Sequence, residues 1–262
     1  LGSRGLGDVY KRQVLKIGPK DMSYTKNIYE FENAIEVEER HTYKYRSPGM
    51  KREKKKKLTP AQMKAVNQKN KEKACRRKLR KHFEENDYFV CLTYEKEKRP
   101  SDMTEAKRDF SDAMKVIRRE YGKAGYKVKW IRNIEVGTKN GWHVHLVINR
   151  IPDTDLILRK AWKKGKVICQ LMYEKGEFKD LAAYITKTPE TDKRLRETSY
   201  STSRNLPLPE AKKKTYVRWR TWNKIRIPKG YYLDKDSVHE GNNPVTGYPY
   251  REYTLLKLKR RE

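Results

Sequence analysis

The stretch Trp142-His143-Val144-His145-Leu146-Val147-Ile148 constrains the fold of this chain more than any other. Side chains alternate between the two faces of a strand, so Trp142, Val144, Leu146 and Ile148 form an apolar row and His143, His145 and Val147 point the other way. Such a strand needs a packing layer on one side and presents two imidazoles on the other. Upstream, Val128, Trp130, Ile134 and Val136 make a second apolar row, with Ile131, Asn133 and Glu135 opposite. Gly137-Thr138-Lys139-Asn140-Gly141 between them is a hairpin signal.

Turn length decides which side chains meet. A two-residue Asn140-Gly141 turn opposes Glu135 to Leu146, on the wrong face for the histidines. A three-residue loop of Lys139, Asn140 and Gly141, with Gly141 left-handed in a bulge, opposes Glu135 to His145 and leaves His143 diagonal. That register is the expected one. Directly opposed residues stand roughly 5 Å apart at Cβ, so His143, His145 and Glu135 could share one divalent ion with coordination positions left open. A bare His-x-His on a strand is more often surface decoration, and the carboxylate of matching parity is what favours metal.

Charge narrows the partner. The net charge is +30, from 64 Lys and Arg against 34 Asp and Glu, which points to a polyanion. No apolar run approaches the ~20 residues of a membrane span, so nucleic acid is favoured over a membrane and the expected location is the cytoplasm. Hydrophobic residues (35%) are outnumbered by charged ones (37%), which suits one compact core with basic extensions better than two full cores. Cys75, Cys91 and Cys169 match no metal or redox spacing and read as small buried hydrophobes in a reducing compartment.

Along the chain, Asp8-Val9-Tyr10-Lys11-Arg12-Gln13 reads as translated cloning or sequencing sequence, and residues 1–13 are set aside. Residues 14–58 mix Tyr with charge and read as a flexible basic arm. Thr59-Pro60 opens a basic helix within 59–87 whose thin apolar stripe is Met63, Val66, Cys75, Leu79 and Phe83. The core, 88–204, begins with a strand at Tyr88–Tyr94. A helix follows over Ser101–Tyr121, then the histidine hairpin, a short helix at 154–163, a strand at Val167–Tyr173, a helix at Phe178–Lys187 and a strand near Ser199–Arg204. That order is an α+β class, a split βαβ (ferredoxin/RRM-like) antiparallel sheet with helices on one face and the other face free to bind. Residues 205–262 read as a basic, aromatic extension. There Pro207–Lys214 is a turn or short helix, and Arg218, Trp219, Arg220, Trp222 and Lys224 interleave cations with rings suited to stacking on unpaired bases. Asn243–Gly247 is a turn between Tyr231–Leu233 and Tyr253–Leu256.

Asp180, Tyr184 and Lys187 share a flank of the helix beside its apolar stripe of Phe178, Leu181, Ala182 and Ile185, so Tyr184 can overhang the histidine face. Taken alone, such a tyrosine is more often a packing residue.

Three stretches in this order resemble the motifs of the HUH endonuclease superfamily, the rolling-circle replication initiators: the strand Phe89-Val90-Cys91-Leu92-Thr93-Tyr94; His143-Val144-His145 with Glu135 eight residues before it; and Tyr184-Ile185-Thr186-Lys187, matching Tyr-x-x-Lys. The general look resembles the replication proteins of filamentous phages and small plasmids. The positions four before and four after Tyr184 are Asp180 and Thr188, so the resemblance is to a single-tyrosine enzyme. It implies that Tyr184 attacks a phosphodiester of single-stranded or hairpin origin DNA held with its flanking duplex, leaving a 5′-phosphotyrosine and a free 3′-hydroxyl. It further implies Lys187 as a charge-neutralising group, and Mn²⁺ or Mg²⁺ on His143, His145 and Glu135. Host replication proteins or a helicase would be further partners, in a bacterial cytoplasm. The alternatives are a non-catalytic nucleic-acid-binding module on the same frame, or a relaxase or transposase of the same superfamily.

Overall fold

The computed structural model describes residues 23–42, 57–137, 140–172, 178–187, 200–216, 222, 224–243 and 247–258. The chain divides into two compact units, 1–59 with 210–262, and 60–209.

The unit of residues 60–209 carries the motifs. Its strands β3 (Tyr88–Thr93), β4 (Trp130–Val136), β5 (Trp142–Ile148), β6 (Val167–Leu171) and β7 (Ser201–Thr202) form one sheet in the order β6-β3-β5-β4-β7, antiparallel throughout. With α2 (Met103–Lys123) between β3 and β4 and α3 (Thr154–Ala161) between β5 and β6, this is the α+β, split βαβ order. Helix α2 forms because Ala106, Phe110, Ala113, Met114, Ile117 and Tyr121 recur at three- and four-residue spacing and all are buried. Asp102 caps it by accepting from the Glu105 N–H at 2.7 Å, while the Glu105 carboxylate accepts from the Ser101 N–H at 2.7 Å. At its far end the Tyr121 hydroxyl donates to the Asn149 carbonyl at 2.6 Å, tying the helix to the end of β5. The face it covers carries the two apolar rows read from the sequence, among them Trp130, Ile134, Val144, Leu146 and Ile148, joined by Val90 and Leu92 of β3.

The other face is not free. Helix α1 (Pro60–His82) and helix α4 (Lys179–Thr186) lie over part of it, burying Cys75, Leu79, Phe83, Ala182 and Ile185 against Ile131 and Val147. The expectation of helices on one face only is corrected here. Phe89, Val147 and Ile131 sit abreast on β3, β5 and β4 and share the histidines' parity. This apolar row demands cover, each large side chain gaining roughly 2 kcal/mol from burial. Only the lower half of the α1 stripe takes part; Met63 is exposed.

The other unit is a second antiparallel sheet, ordered β8-β1-β2-β10-β9. Its strands are β1 (Ser23–Glu30), β2 (Ala34–Thr42), β8 (Lys212–Tyr216), β9 (Tyr231–Asn242) and β10 (Pro249–Lys257). The arm expected over 14–58 thus supplies two paired strands, and the Pro207–Lys214 turn or helix ends in a third. The pattern is hidden because one face mixes apolar and charged groups. Val37, Tyr253 and Leu255 form the apolar part. Beside them the buried Glu39 carboxylate accepts from Arg251 at 2.6 and 2.9 Å and from the Tyr253 hydroxyl at 3.2 Å, and pairs with Lys26 at 3.2 Å. β9 and β10 pair as the expected connection between them requires, the Gly247 N–H donates to the Asn243 carbonyl at 2.7 Å and Gly247 takes φ +70°, while residues 244–246 of the expected turn lie outside the described residues.

Candidate functional site

The β4–β5 register places Glu135 opposite His143 and Asn133 opposite His145. This corrects the expected pairing of Glu135 with His145 by two residues. The Gly137 N–H donates to the Gly141 carbonyl at 2.7 Å, and Asn140 rather than Gly141 adopts the left-handed conformation, φ 51°. Asparagine is one of the few residues other than glycine that visit this region, as single residues. Parity survives a two-residue slip, so all three side chains still share a face.

On that face the strands set out a small grid. Thr93, His143 and Glu135 form one row, Cys91, His145 and Asn133 the next, and the roofed apolar row Phe89, Val147 and Ile131 follows. Tyr184, on the last turn of α4, stands at the edge of the roof: its hydroxyl lies 3.2 Å from His145 Nε2, and its ring meets His145 and Phe89 edge-on. His145 Nε2 is also 2.8 Å from Glu135 Oε1. The structure therefore brings Tyr184, His145 and Glu135 into one connected chain, with the His143 ring 6.1 Å from that of His145. Lys187, the exposed C-cap of α4, donates its backbone N–H to the Tyr184 carbonyl at 3.3 Å. The end of α4 is held from below, where Gln68 of α1 donates to the Thr186 carbonyl at 3.2 Å.

Charge distributes unevenly over these groups. Burial opposes a charged His145, but the Cys91 thiol and the Glu135 carboxylate outweigh it and raise its pKa to about 9. The hydrogen bond from His145 in turn lowers the pKa of Glu135, despite its burial and with help from His143 and Lys187. Burial and the charge of His145 lower the His143 pKa, so that ring is neutral at pH 7. Burial, then Glu135 and Cys91, raises that of Tyr184. The phenol is therefore protonated at neutral pH.

Among the described residues, no three His, Cys, Asp or Glu side chains surround a common point closely enough to hold a metal ion as they stand. His145 and Glu135 satisfy each other instead. The donor chemistry still suits a cation. His143 is a neutral imidazole, Glu135 is ionised, and the buried Nδ1 of His145 has no hydrogen-bond partner.

Residues 87–189 match the family of replication-associated protein ORF2/G2P. The match supports a replication-related role and covers the sheet strands β3 to β6, both histidines, Glu135 and Tyr184, though less than half of the chain. The chain matches no curated protein and no solved structure. No helix among the described residues is long and apolar enough to cross a membrane.

Of the expected base-stacking residues, Arg218, Trp219 and Arg220 lie outside the described residues. Trp222 packs within its own unit, 4.2 Å from the His41 ring and 5.3 Å from that of Tyr24, with the Arg251 guanidinium 4.9 Å over its face. Lys224 is exposed. Cys91, Thr93 and Asn133 belong to the grid and were not singled out from the sequence. Their signal was parity alone, each being an even number of residues from a roofed neighbour on its own strand.

Proposed function

We propose that the unit of residues 60–209 is a nicking-joining DNA endonuclease of the HUH type that initiates rolling-circle replication. The observation that carries this reading is the Tyr184 hydroxyl 3.2 Å from His145 and, through it, joined to Glu135, inside the segment that matches a replication-associated family. Tyr184 is 45% exposed, so its oxygen can reach a phosphodiester in an unpaired strand laid across the open end of the sheet. Its oxygen attacks phosphorus, the 3′-oxygen departs and takes a proton from solvent, and the phenolic proton passes to solvent. The product is a tyrosyl 5′-phosphate whose bond energy is kept for rejoining. Lys187, at the C-cap of α4 and near enough to lower the Glu135 pKa, neutralises charge on the attacked phosphate.

His143, His145 and Glu135 would hold a divalent cation, which supplies polarisation of the phosphate oxygen and a lower phenol pKa when bound. Holding it would require His145 to give up the proton it shares with Glu135. The chain's +30 charge supplies the long-range attraction to DNA, with binding that weakens steeply as salt rises. Host replication proteins and a bacterial cytoplasm follow from this reading.

The test is incubation of the chain with end-labelled single-stranded origin DNA and Mn²⁺ or Mg²⁺, read on a denaturing protein gel beside Tyr184→Phe. A labelled adduct that is lost in the variant and after chelation supports the reading. Equal DNA binding by parent and variant, with no adduct or nick from either, leaves the non-catalytic binding module, which the self-satisfied His145–Glu135 pair favours.

A further inference from the structure

Cys91 lies on β3 between Phe89 and Thr93, directly opposite His145 in the sheet ladder, and so projects into the polar grid. Its Sγ is 3.8 Å from His143 Nδ1. A tetrahedral cation with a thiolate at ~2.3 Å and an imidazole nitrogen at ~2.05 Å holds the two atoms about 3.6 Å apart. The pair is thus already spaced to bind one ion. Independently, His145 is 6% exposed and its Nδ1 is buried without a partner, a costly arrangement that a further bond would relieve. The other two cysteines are differently placed. Cys75 is fully buried on the inner face of α1 with its thiol pushed up to about 12, and Cys169 opposes Val90 and packs on the α2 side of the sheet.

We infer that Cys91 is a ligand of the same centre as His143 and His145, and that the centre takes a thiophilic divalent cation such as Zn²⁺ or Co²⁺ in preference to Mg²⁺. The inference rests on the metal reading proposed above. Binding forms a sulfur–metal bond and releases the thiol proton and the His145 proton to solvent. One sulfur and two nitrogens suit borderline-soft ions, whereas Mg²⁺ keeps to oxygen ligands and its own water.

The experiment is titration of the chelator-treated full chain with Co²⁺ alone, followed by absorption. A thiolate-to-cobalt charge-transfer band in the near ultraviolet, beside the visible bands of four-coordinate Co²⁺, is expected. In Cys91→Ser the visible bands remain, the charge-transfer band is lost, and Zn²⁺ binds more weakly by on the order of tenfold or more. Zn²⁺ should also protect one thiol of the parent from a disulfide reagent, which reads the same contact without a variant. Co²⁺ binding with no thiolate band, or with a band unchanged in Cys91→Ser, overturns the role of Cys91 and leaves the metal reading standing. Failure of the folded parent to bind Co²⁺ at all overturns both.

Discussion

Replacing Glu135 by Gln tests the electrostatics of the site without any DNA. In the metal-free protein the His145 pKa is raised from 6.5 to about 9, a difference that corresponds to roughly 3 kcal/mol of folding stability. The sign follows from which state holds the proton more tightly. Below pH 6.5 both the folded and the unfolded chain carry it, and the stabilisation is fully present. As pH rises through 9 the folded ring loses its proton and the stabilisation disappears. The lowered pKa of Glu135 works in the opposite window: its contribution is present above its unfolded value of 4.5 and lost as pH falls through its folded one. The contribution of this pair is therefore greatest between about pH 4.5 and 6.5 when chelator is present. Glutamine keeps a hydrogen-bonding side chain but removes the charge, so Glu135→Gln should lose part of that roughly 3 kcal/mol at pH 6.5, the rest being carried by Cys91, and little at pH 9.5. The full amount would be about 6–12 °C in thermal midpoint for a unit of this size, and the variant should lose less than that at the lower pH. The assay is thermal unfolding in chelator across pH 5.5–9.5, with His145 titrated by NMR in both proteins. A His145 that titrates below 6.5 in the parent, or equal pH slopes for parent and variant, would refute the reasoning.

Three further outcomes are expected. Gly165→Ala should destabilise the motif-bearing unit by about 1–3 kcal/mol or more in thermal unfolding, because the added Cβ would collide with the Thr93 carbonyl oxygen and stand 3.0 Å from the Glu95 nitrogen, both rigid backbone. Glu39→Ala should cost the other unit about 3 kcal/mol in urea unfolding, since it leaves the buried Arg251 guanidinium with only its longer contact to the exposed Glu240 carboxylate at 3.4 Å; an unchanged midpoint would mean that the charge is solvated or held by Glu240. Gln68→Ala removes the donor to the Thr186 carbonyl and should lower stability by about 1 kcal/mol. It should also slow cleavage while leaving the KM for single-stranded DNA unchanged, because it loosens the helix that carries Tyr184 and not the surface that binds.

The central sheet was legible in the sequence because alternation over Trp130–Val136 and Trp142–Ile148 specifies faces directly, and the two helices that cover one of them carry regular apolar stripes. Register was less legible. Asn140 and Gly141 are both able to take the left-handed position, and nothing local chooses between them. Face assignment survived because the slip was even, which is why Glu135 and the histidines were grouped correctly but paired wrongly. The second sheet escaped because its strands are brought together from the two ends of the chain, β1 pairing with β8 and β2 with β10, and because Glu39, Arg251 and Lys26 occupy inward positions where a hydrophobic pattern would be sought. Cys91 was read as a small hydrophobe because a cysteine without a second cysteine nearby gives no spacing; only the neighbouring strand reveals its company.

The roof over the apolar row has a practical consequence for anyone cutting this protein down. The segment that carries all three motifs, 87–189, omits α1 and Leu206, which supply Cys75, Leu79, Phe83 and Leu206 to the cover of Ile131 and Val147. A fragment trimmed to those motifs would keep every catalytic candidate and expose a greasy strip beside them, inviting self-association. The compact unit that keeps this cover is 60–209, and an expression boundary belongs before Pro60, some twenty-seven residues ahead of where the recognisable sequence begins.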